Sequence, residues 1–591
     1  MSITRARPRS RPSVHPPRQG FPLSADLAVA AVVVSFAAVA VTAGMVHSAI
    51  SPPTLPGTGP PAALRAVADG MGLGGLGRRA AALLSLGVVT ASVGAFLFGL
   101  REAWHGRLSA RKVLWFAIAF QVVAAALPVL LSRDVYSYAI YARIAAVHHA
   151  NPYVATPLDF RSEALFPFVG PVWRGAPTIY GPAFTMLSGA IGRLTSSPVA
   201  LVWAFKILAG LAGIGTLLVV AWIARRVAPG RAAFAIALFG WNPAVVVYAT
   251  GGGHNDLLAA LCIAGALALL IRGGVFDREG RGVPVDPAER KWEWPRYELL
   301  AVGVLTLGVL VKASAAPALA LAVVASVAAR PLGRRLRLLC GEAAVVLALV
   351  VAFAAPYWQT HNPTLGVSSL ATHRGWVTAT RLLLATLGGI AENLWGPGGR
   401  TAVEAVIRVS VTATAFVGLG LVAVAVARRV ARRGAGGDAA TGPDGGRPAG
   451  RGAMRGPGMW AAPWTAGAEG AAWGWALLLF IVASPVLLPW YMAWMLPVAW
   501  LMPRGARAVA VAVSCLLCVT HAIADPELVF HVYTVQLRIG HDVVGPLMLA
   551  TLAWVAVRAV RMARGRSALE DAALPPRADR GERVPAPADA G

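Results

Sequence analysis

VLWFAIAFQVVAAALPVLL (residues 113–131) runs directly into SRDVYSYAIYAR (residues 132–143). The first stretch is apolar, and its length approaches the roughly 20 residues that a helix needs to cross a bilayer. The second stretch brings a carboxylate, arginines and tyrosines to the mouth of that helix. Because charged groups are expensive in the hydrocarbon core, a charged and aromatic cluster at its edge indicates a functional site.

If residues 132–148 are helical, Asp134, Tyr138, Tyr141 and His148 share one face. Asp134 is ionised at neutral pH and could accept a proton from a hydroxyl group. The same carboxylate could instead cap the start of a helix, together with Ser132. The tyrosines suit a binding site, but they also suit an aromatic belt at the membrane interface.

The composition of the 591-residue chain is that of a membrane protein, with 57% hydrophobic and only 14% charged residues. The apolar runs are long and do not alternate, which favours helices over a barrel. The sequence therefore predicts an all-α polytopic membrane protein with about 11–14 transmembrane helices.

The net charge of +26 comes from arginine clusters between the apolar runs and in the tails. Such clusters are typical of cytoplasmic loops, so they indicate topology and no nucleic-acid partner. Both termini are then cytoplasmic in a multi-pass protein of the plasma membrane. Cys515 and Cys518 lie in an apolar run without a second pair, and we expect no metal or redox site there.

The predicted organisation has five parts. They are a disordered basic tail (1–24), an N-terminal transmembrane body (25–433), a low-complexity cytoplasmic linker (434–458), C-terminal transmembrane helices (459–561) and a second disordered tail (562–591). The body contains a large first external loop, 132–198, that we expect to carry interfacial helices. A loop this long and this aromatic is more often functional than disordered.

A second polar cluster, GGGHND (251–256), joins two apolar runs on the predicted external side. Three glycines let backbone approach another group closely, and His254, Asn255 and Asp256 then place three polar side chains together. Asp256 could also simply cap the following helix. Before this cluster, Trp241-Asn242-Pro243 is expected to end or kink its helix, leaving a buried Asn242 in need of a partner.

Further candidate binding residues lie in the other predicted external segments. Lys312 could extend to the interface, or its ammonium could lie in an external turn near an anion. Arginine suits phosphate binding, and aromatic faces suit sugar rings. The remaining candidates are Arg133, Arg143, Asn151, Tyr153, Tyr180, His373, Arg374, Trp490 and Tyr491.

Together these motifs resemble a known family. Over roughly residues 80 to 550 the chain is similar to actinobacterial polyprenol-phosphomannose-dependent α-1,6-mannosyltransferases, integral membrane glycosyltransferases of the GT-C superfamily. The resemblance is carried, in chain order, by SRDVYSY (132–138), NPY (151–153), YGP (180–182), GHND (253–256), Lys312 and PWY (489–491).

The resemblance implies a polyprenyl-phosphate-mannose donor, a lipomannan-type glycolipid acceptor and inversion at the transferred sugar, on the extracytoplasmic face. It also implies an acidic general base in the first large external loop, which corresponds to Asp134. Many members of the superfamily carry two adjacent acidic residues here, whereas this chain has Arg133-Asp134. We therefore expect a reaction that needs neither a metal nor another cofactor.

Two other functions are compatible with the sequence. A GT-C transferase with a different polyprenyl sugar or a protein acceptor would share these motifs. A transporter or lipid flippase would instead need interrupted helices near the middle of the bilayer, often in paired halves. The polar motifs of this chain cluster at the predicted external ends of the helices, and no repeat is visible.

Overall fold

A computed structural model describes residues 22–274, 295–358, 375, 377–438, 465–524 and 530–566 of the chain. These residues are largely helical and contain no β-strand, as the sequence predicts. The α-helices are α1 (Pro22–Ala43), α2 (Ala62–Gly70), α3 (Arg78–Trp104), α4 (Ala110–Ala126), α5 (Asp134–Ala146), α6 (Pro182–Leu194), α7 (Pro198–Val227), α8 (Ala232–Gly240), α9 (Asp256–Arg272), α10 (Arg296–Val311), α11 (Ala316–Ala328), α12 (Leu332–Ala354), α13 (Ala379–Asp438), α14 (Ala466–Ala483), α15 (Met492–Ala499), α16 (Arg504–Thr520), α17 (Phe530–Ile539) and α18 (Gly545–Ala563).

Shorter helical pieces join these helices. Two π-helical pieces cover Ala244–Thr250 and Gly540–Val544. The 3₁₀ turns are Pro157–Phe160, Phe166–Phe168, Pro171–Trp173, Pro229–Arg231, Ala313–Ala315, Ala355–Tyr357 and Pro489–Tyr491.

Eight helical segments of the described chain are long and apolar enough to cross a membrane, so the protein is a polytopic membrane protein. They are Ser24–Ala43, Arg78–Trp104, Pro198–Val227, Pro229–Thr250, Leu332–Tyr357, Ala379–Ala431, Ala466–Ala483 and His531–Ala563. Several other predicted spans correspond to the shorter helices α4, α9, α10 and α16, of 16 or 17 residues each.

The predicted break at Trp241-Asn242-Pro243 is confirmed. Helix α8 ends at Gly240, and the chain resumes as the π-helical piece from Ala244. Asn242 is almost completely buried, and its Oδ1 accepts hydrogen bonds from Ala244 N at 2.9 Å and Ser514 Oγ at 3.0 Å. The Asn242 side chain therefore satisfies a backbone N–H at the start of the next helical piece, as a capping residue does.

Two segments have a different secondary structure from the one that the sequence predicts. The sequence predicts an external segment over residues 356–401, and residues 379–401 of it belong to α13, which bends at Gly396 (φ 70°) next to Pro397. The predicted linker 434–458 begins within the end of α13, and its residues beyond 438 lie outside the described part of the chain.

The centre of the molecule is formed by α9, which packs against both α7 and α10, with α15 alongside. Helices α8 and α14 are almost entirely buried, and Trp241, Trp473 and Trp475 are among the largest fully buried side chains. The segment 132–198 contains α5, three 3₁₀ turns and α6, and α5 packs against α6 and α7. This packing brings the N-terminus of α5 to the N-terminus of α9.

Candidate active site

Four segments that are distant in sequence meet at one point. They contribute Asp134 at the start of α5, the turn 251–256 before α9, Lys312 after α10, and residues 489–494 at the start of α15. Each is the end of a helix, where the backbone leaves regular geometry and side chains converge. The structure therefore assembles in one place four motifs that the sequence analysis identified separately.

Asp134 is the first residue of α5, and its side chain is 23% exposed. The helix-capping contact comes from Ser132, whose Oγ accepts the backbone N–H of Asp134 at 3.1 Å. The carboxylate of Asp134 instead faces His254, with Oδ2 at 3.4 Å from Nδ1. Ser132 thus caps the chain locally, and the carboxylate remains available for a contact across the site.

Electrostatics keep Asp134 ionised. Burial by itself would raise the pKa of this carboxyl, but the adjacent His254 imidazole, the Lys312 ammonium and the Ser132 hydroxyl together hold the pKa below its ordinary value. A carboxylate that stays deprotonated can accept a proton throughout the neutral range.

His254 is fully buried and lies flat against the indole of Trp490, with 3.9 Å between ring centroids. Its Nδ1 is 3.4 Å from Asp134 and 3.8 Å from Oδ2 of Asp256. Within the described chain neither ring nitrogen has a hydrogen-bond partner of good geometry. The stacking on Trp490 therefore fixes the imidazole between two carboxylates that it touches only loosely.

Asp256 is held much more firmly than Asp134. It is fully buried, both carboxylate oxygens accept from Lys312 Nζ at 2.8 Å, and Oδ1 also accepts from Trp494 Nε1 at 2.7 Å. The Lys312 ammonium also faces the rings of Tyr491 and Trp494, at 5.0 and 5.4 Å from their centroids. The anion near Lys312 is therefore Asp256, at the first position of α9.

The glycine turn before His254 has a conformational reason. Gly253 adopts φ +72°, a left-handed conformation that side-chain-bearing residues rarely adopt. A Cβ at this position would also meet Lys206 Cγ at 3.2 Å and Val135 Cγ2 at 3.3 Å. Glycine therefore lets the turn press against α5 and α7 and present His254 to Asp134.

A layer of tyrosines lies beside these residues. The Tyr138 hydroxyl donates to Asn255 Oδ1 at 3.3 Å and accepts the backbone N–H of Asn255 at 3.4 Å. Tyr180 packs edge-on against Tyr138, with ring centroids 4.7 Å apart. Both tyrosines are buried, so they join α5, the turn and the loop behind the carboxylates.

Other predicted site residues hold the first loop in place. Tyr141 donates to the Ala176 carbonyl at 2.7 Å, Tyr153 donates to the Tyr180 carbonyl at 2.6 Å, and Asn151 Nδ2 donates to the Tyr357 carbonyl at 3.1 Å. Gly181 lies against the chain before Lys312, where an added Cβ would be 2.1 Å from the Leu310 carbonyl oxygen. These contacts fasten the loop to the turn that carries Lys312.

Arg143 belongs to a different cluster, at the other end of α5. Its Nε donates to Glu163 Oε2 at 2.6 Å, and a guanidinium nitrogen donates to the Ser196 carbonyl. His148 lies beyond the last residue of α5, so it leaves the helical face shared by Asp134, Tyr138 and Tyr141, and its Nε2 contacts Glu163 Oε1 at 2.6 Å.

The three remaining predicted residues are Arg133, His373 and Arg374. Arg133 directly precedes α5, and its carbonyl accepts the backbone N–H of Tyr136 at 3.1 Å. His373 and Arg374 lie outside the described residues.

Three residues of this region were missed in the sequence. Trp494 follows Trp490 by one helical turn, a spacing that predicts a shared face. Lys206 is a charge inside an apolar run, a pattern that marks a functional or structural site in a membrane helix. Glu163 lies in the first loop without any motif, and its partners could not be inferred from its neighbours.

The chain was compared with known proteins. Residues 28–329 match a family model described as the N-terminal domain of alpha-(1->6)-mannopyranosyltransferase. This region is just over half of the chain, and it contains Asp134, His254, Asp256 and Lys312. No solved structure matches the chain.

Two curated proteins are similar in sequence. A probable alpha-(1->6)-mannopyranosyltransferase of Mycolicibacterium smegmatis is 24% identical over 521 residues, which cover 84% of this chain and 81% of that protein. Alpha-(1->6)-mannopyranosyltransferase A of Mycobacterium tuberculosis is 27% identical over 177 residues, 29% of this chain and 32% of that protein. With the extent of the family match and the helical membrane fold, these similarities establish that the chain belongs to the alpha-(1->6)-mannopyranosyltransferase family and is a glycosyltransferase.

Proposed function

We propose that this mannosyltransferase moves mannose from a polyprenyl-phosphate-mannose donor to a mannan or lipomannan-type glycolipid acceptor, forming α-1,6 linkages. Asp134 is the general base of this reaction, and the site faces the extracytoplasmic side of the plasma membrane. A lipid-linked donor agrees with a site built at the ends of membrane helices, where a polyprenyl chain stays in the bilayer while its head group enters the site.

The contrast between two carboxylates carries this proposal. Asp256 is fully buried, and its oxygens accept three close contacts from Lys312 and Trp494. Asp134 retains 23% exposure, faces a loosely placed imidazole and has a lowered pKa. Of the two, only Asp134 combines access for an acceptor hydroxyl with an oxygen free to take its proton.

The proposed reaction is a single displacement. The acceptor hydroxyl oxygen forms a bond to the anomeric carbon of mannose as the bond from that carbon to the phosphate oxygen breaks. The hydroxyl proton passes to Asp134, and polyprenyl phosphate leaves with the electron pair. Attack from the face opposite the phosphate inverts the anomeric centre, as the resemblance implies.

The departing phosphate needs positive charge nearby. Lys312 is the best supported of the predicted cations because, besides binding Asp256, it lies close enough to Asp134 to lower the pKa of that carboxyl. Arg143 is less suited, since Glu163 and the Ser196 carbonyl bind its guanidinium at the opposite end of α5 from Asp134. Arg133 and Arg374 remain further candidates.

The remaining predicted residues are proposed to bind sugar directly or to hold in place the groups that do. His254, Asn255 and Asp256 orient sugar hydroxyls or support the base, and Tyr138, Tyr141, Tyr153, Tyr180, Trp490, Tyr491, Asn151 and His373 complete the candidate set. Trp490 stacks on His254 and Tyr491 stacks on Trp494, at centroid distances of 3.9 and 4.4 Å. Such aromatic surfaces accept the apolar faces of sugar rings.

The test uses membranes that carry the full-length protein, supplied with radiolabelled polyprenyl-phosphate-mannose and a short α-1,6-mannan acceptor. Asp134→Asn should lower turnover by about 10²–10⁴-fold while the protein remains inserted and folded. Asp159→Asn is the matched control, because Asp159 is an exposed carboxylate of the same loop whose hydrogen bonds within the described chain come from Thr156.

Each other outcome has a definite meaning. Near-normal transfer by Asp134→Asn removes Asp134 as the base. Labelled protein in place of labelled glycolipid, or transfer only from another polyprenyl-linked sugar, overturns the proposed acceptor or donor. A normal rate from a nucleotide sugar in the absence of lipid-linked mannose overturns the donor class.

A further inference from the structure

One buried charge takes no part in the proposed reaction. Lys206 is the ninth residue of α7 (Pro198–Val227), within an apolar stretch of that helix, and its side chain is completely buried. An ammonium in such surroundings is costly unless its three N–H groups find acceptors. Within the described chain Lys206 has no carboxylate partner.

Its acceptors are three backbone carbonyls. Lys206 Nζ donates to Gly251 O at 2.6 Å, Pro128 O at 3.2 Å and Ala124 O at 3.3 Å. Ala124 lies in the last turn of α4, where helix carbonyls lack intrahelical partners and carry the negative end of the helix dipole. The ammonium therefore has one backbone acceptor for each of its three N–H groups. The other two acceptors, the carbonyls of Pro128 and Gly251, lie in the segments that lead into the site.

Those two segments lead to the proposed base and to the imidazole beside it. The Pro128 carbonyl belongs to the stretch that leads from α4 to Asp134, and the Gly251 carbonyl opens the glycine turn that leads to His254. The same Gly251 carbonyl also accepts the backbone N–H of Leu130 at 3.1 Å. The aliphatic part of Lys206 also packs against the glycine turn, since a Cβ added to Gly253 would lie 3.2 Å from Lys206 Cγ.

We propose that Lys206 is a positioning residue whose ammonium holds the segment before Asp134 and the turn before His254 in fixed relative positions. It acts through these two residues and does not touch the substrate. This inference rests on the proposed function, since it assumes that the 3.4 Å approach of His254 to Asp134 matters for transfer.

The variant that tests the inference is Lys206→Met, which keeps an unbranched apolar stem and removes all three donors. Misplacing a reacting group by about 1 Å costs on the order of 10²-fold in rate, so kcat should fall by about that factor with the donor KM little changed. Lys112→Met is the control, because Lys112 is a helical lysine whose exposed side chain pairs with Asp26. Its kcat should equal that of the wild type.

The pH profile separates positioning from folding. Asp134 is faced by His254 and by Lys312, and these two groups lower its pKa. If the turn moves away in Lys206→Met, that stabilisation of the carboxylate weakens, and the acid limb of the rate profile moves to higher pH. If Lys206 only stabilised the fold, Lys206→Met would reduce the amount of folded enzyme and leave the pH of the acid limb unchanged.

Lys206→Arg is the second variant, since a guanidinium restores donors toward the same carbonyls. Recovery of kcat and of the wild-type acid limb relative to Lys206→Met supports positioning. Wild-type kcat in Lys206→Met, an unshifted acid limb, or loss of folded protein in both variants overturns it. Each of these results leaves the Asp134→Asn test intact. A failure of the positioning role of Lys206 is therefore distinguishable from a failure of the proposed function.

Discussion

The two ends of α5 each bring a carboxylate to a histidine, and they do so in opposite ways. At the N-terminus, Asp134 is 3.4 Å from His254. At the C-terminus, Glu163 bonds Arg143 and His148 at 2.6 Å each. The Glu163 oxygens are thus fully used in holding the first loop on the helix, whereas Asp134 is ionised and still has an oxygen to offer.

The comparison shows which charged groups of a membrane enzyme stabilise the fold and which remain available for chemistry. Close, saturated contacts identify groups that hold the fold, and Asp256 with Lys312 and Trp494 belongs with Glu163 in this respect. Asp134 is the exception among these three carboxylates. If contact geometry separates the two roles, substitutions of Asp256 and Glu163 should lower stability, and substitution of Asp134 should lower turnover.

The largest effect on stability is expected from Asp256→Asn. The substitution leaves the Lys312 ammonium, only 16% exposed, without its charged partner. Breaking a buried ion pair in this way costs about 3–5 kcal/mol. Thermal unfolding of the detergent-purified protein should show a clear loss for Asp256→Asn and little change for Asp134→Asn. Equal losses in both variants would erase the distinction between the two carboxylates.

A smaller effect is expected from Glu163→Gln. The neutral amide weakens the hydrogen bonds to Arg143 and His148, each of which has a charged acceptor in the wild type. Hydrogen bonds to charged groups contribute about 1.5–3 kcal/mol, so the melting temperature should fall measurably. Transfer per folded molecule should stay near the wild-type value, and a turnover loss as large as that of Asp134→Asn would contradict the comparison.

The smallest effect is expected from mild acid. The pKa values of Asp134 and Glu163 are both lowered, in each case because neighbouring cationic or hydrogen-bonding groups outweigh the opposing effect of burial. The ionised forms are the active and the stabilising ones, so both contributions persist above the ordinary pKa values and disappear only as pH falls through the lowered ones. From pH 7 to about 5, well above the ordinary values of about 3.9 and 4.3, kcat should change less than twofold.

The measurement is a rate profile on membranes, with unfolding followed over the same pH range. An acid limb centred above about pH 5 would show that Asp134 does not have the lowered pKa, or that another group limits the rate. A loss of folded protein above about pH 5 would show that the Glu163 carboxyl does not have the lowered pKa, or that another group limits stability.

Much of this architecture follows from local sequence. The apolar runs predict the helices, Trp241-Asn242-Pro243 predicts the end of α8, and the three glycines predict the tight turn before His254. These features depend on neighbours in the chain, through backbone geometry and hydrophobic length. Of the two alternatives for Lys312, extension to the interface and a position near an anion, the second agrees with its contact to Asp256.

Long-range partners could not be predicted in the same way. Nothing near Lys312 specifies that its anion lies 56 residues earlier, and Arg143 looked like a phosphate ligand because Glu163 carries no motif. Lys206 illustrates the limit most clearly, since its three acceptors are backbone carbonyls, which are identical in every sequence. Only the packing of α7 against α4 and the glycine turn selects them.

The contact from Trp494 to Asp256 has a consequence for biosynthesis. The donor and the acceptor of this hydrogen bond are 238 residues apart, and the ring that stacks on His254 belongs to the same late segment. A ribosome delivers Asp134, His254, Asp256 and Lys312 to the membrane long before it makes this tryptophan. The site is therefore completed only when residues 489–494, which lie in the last fifth of the chain, have been inserted, and shorter nascent chains lack it.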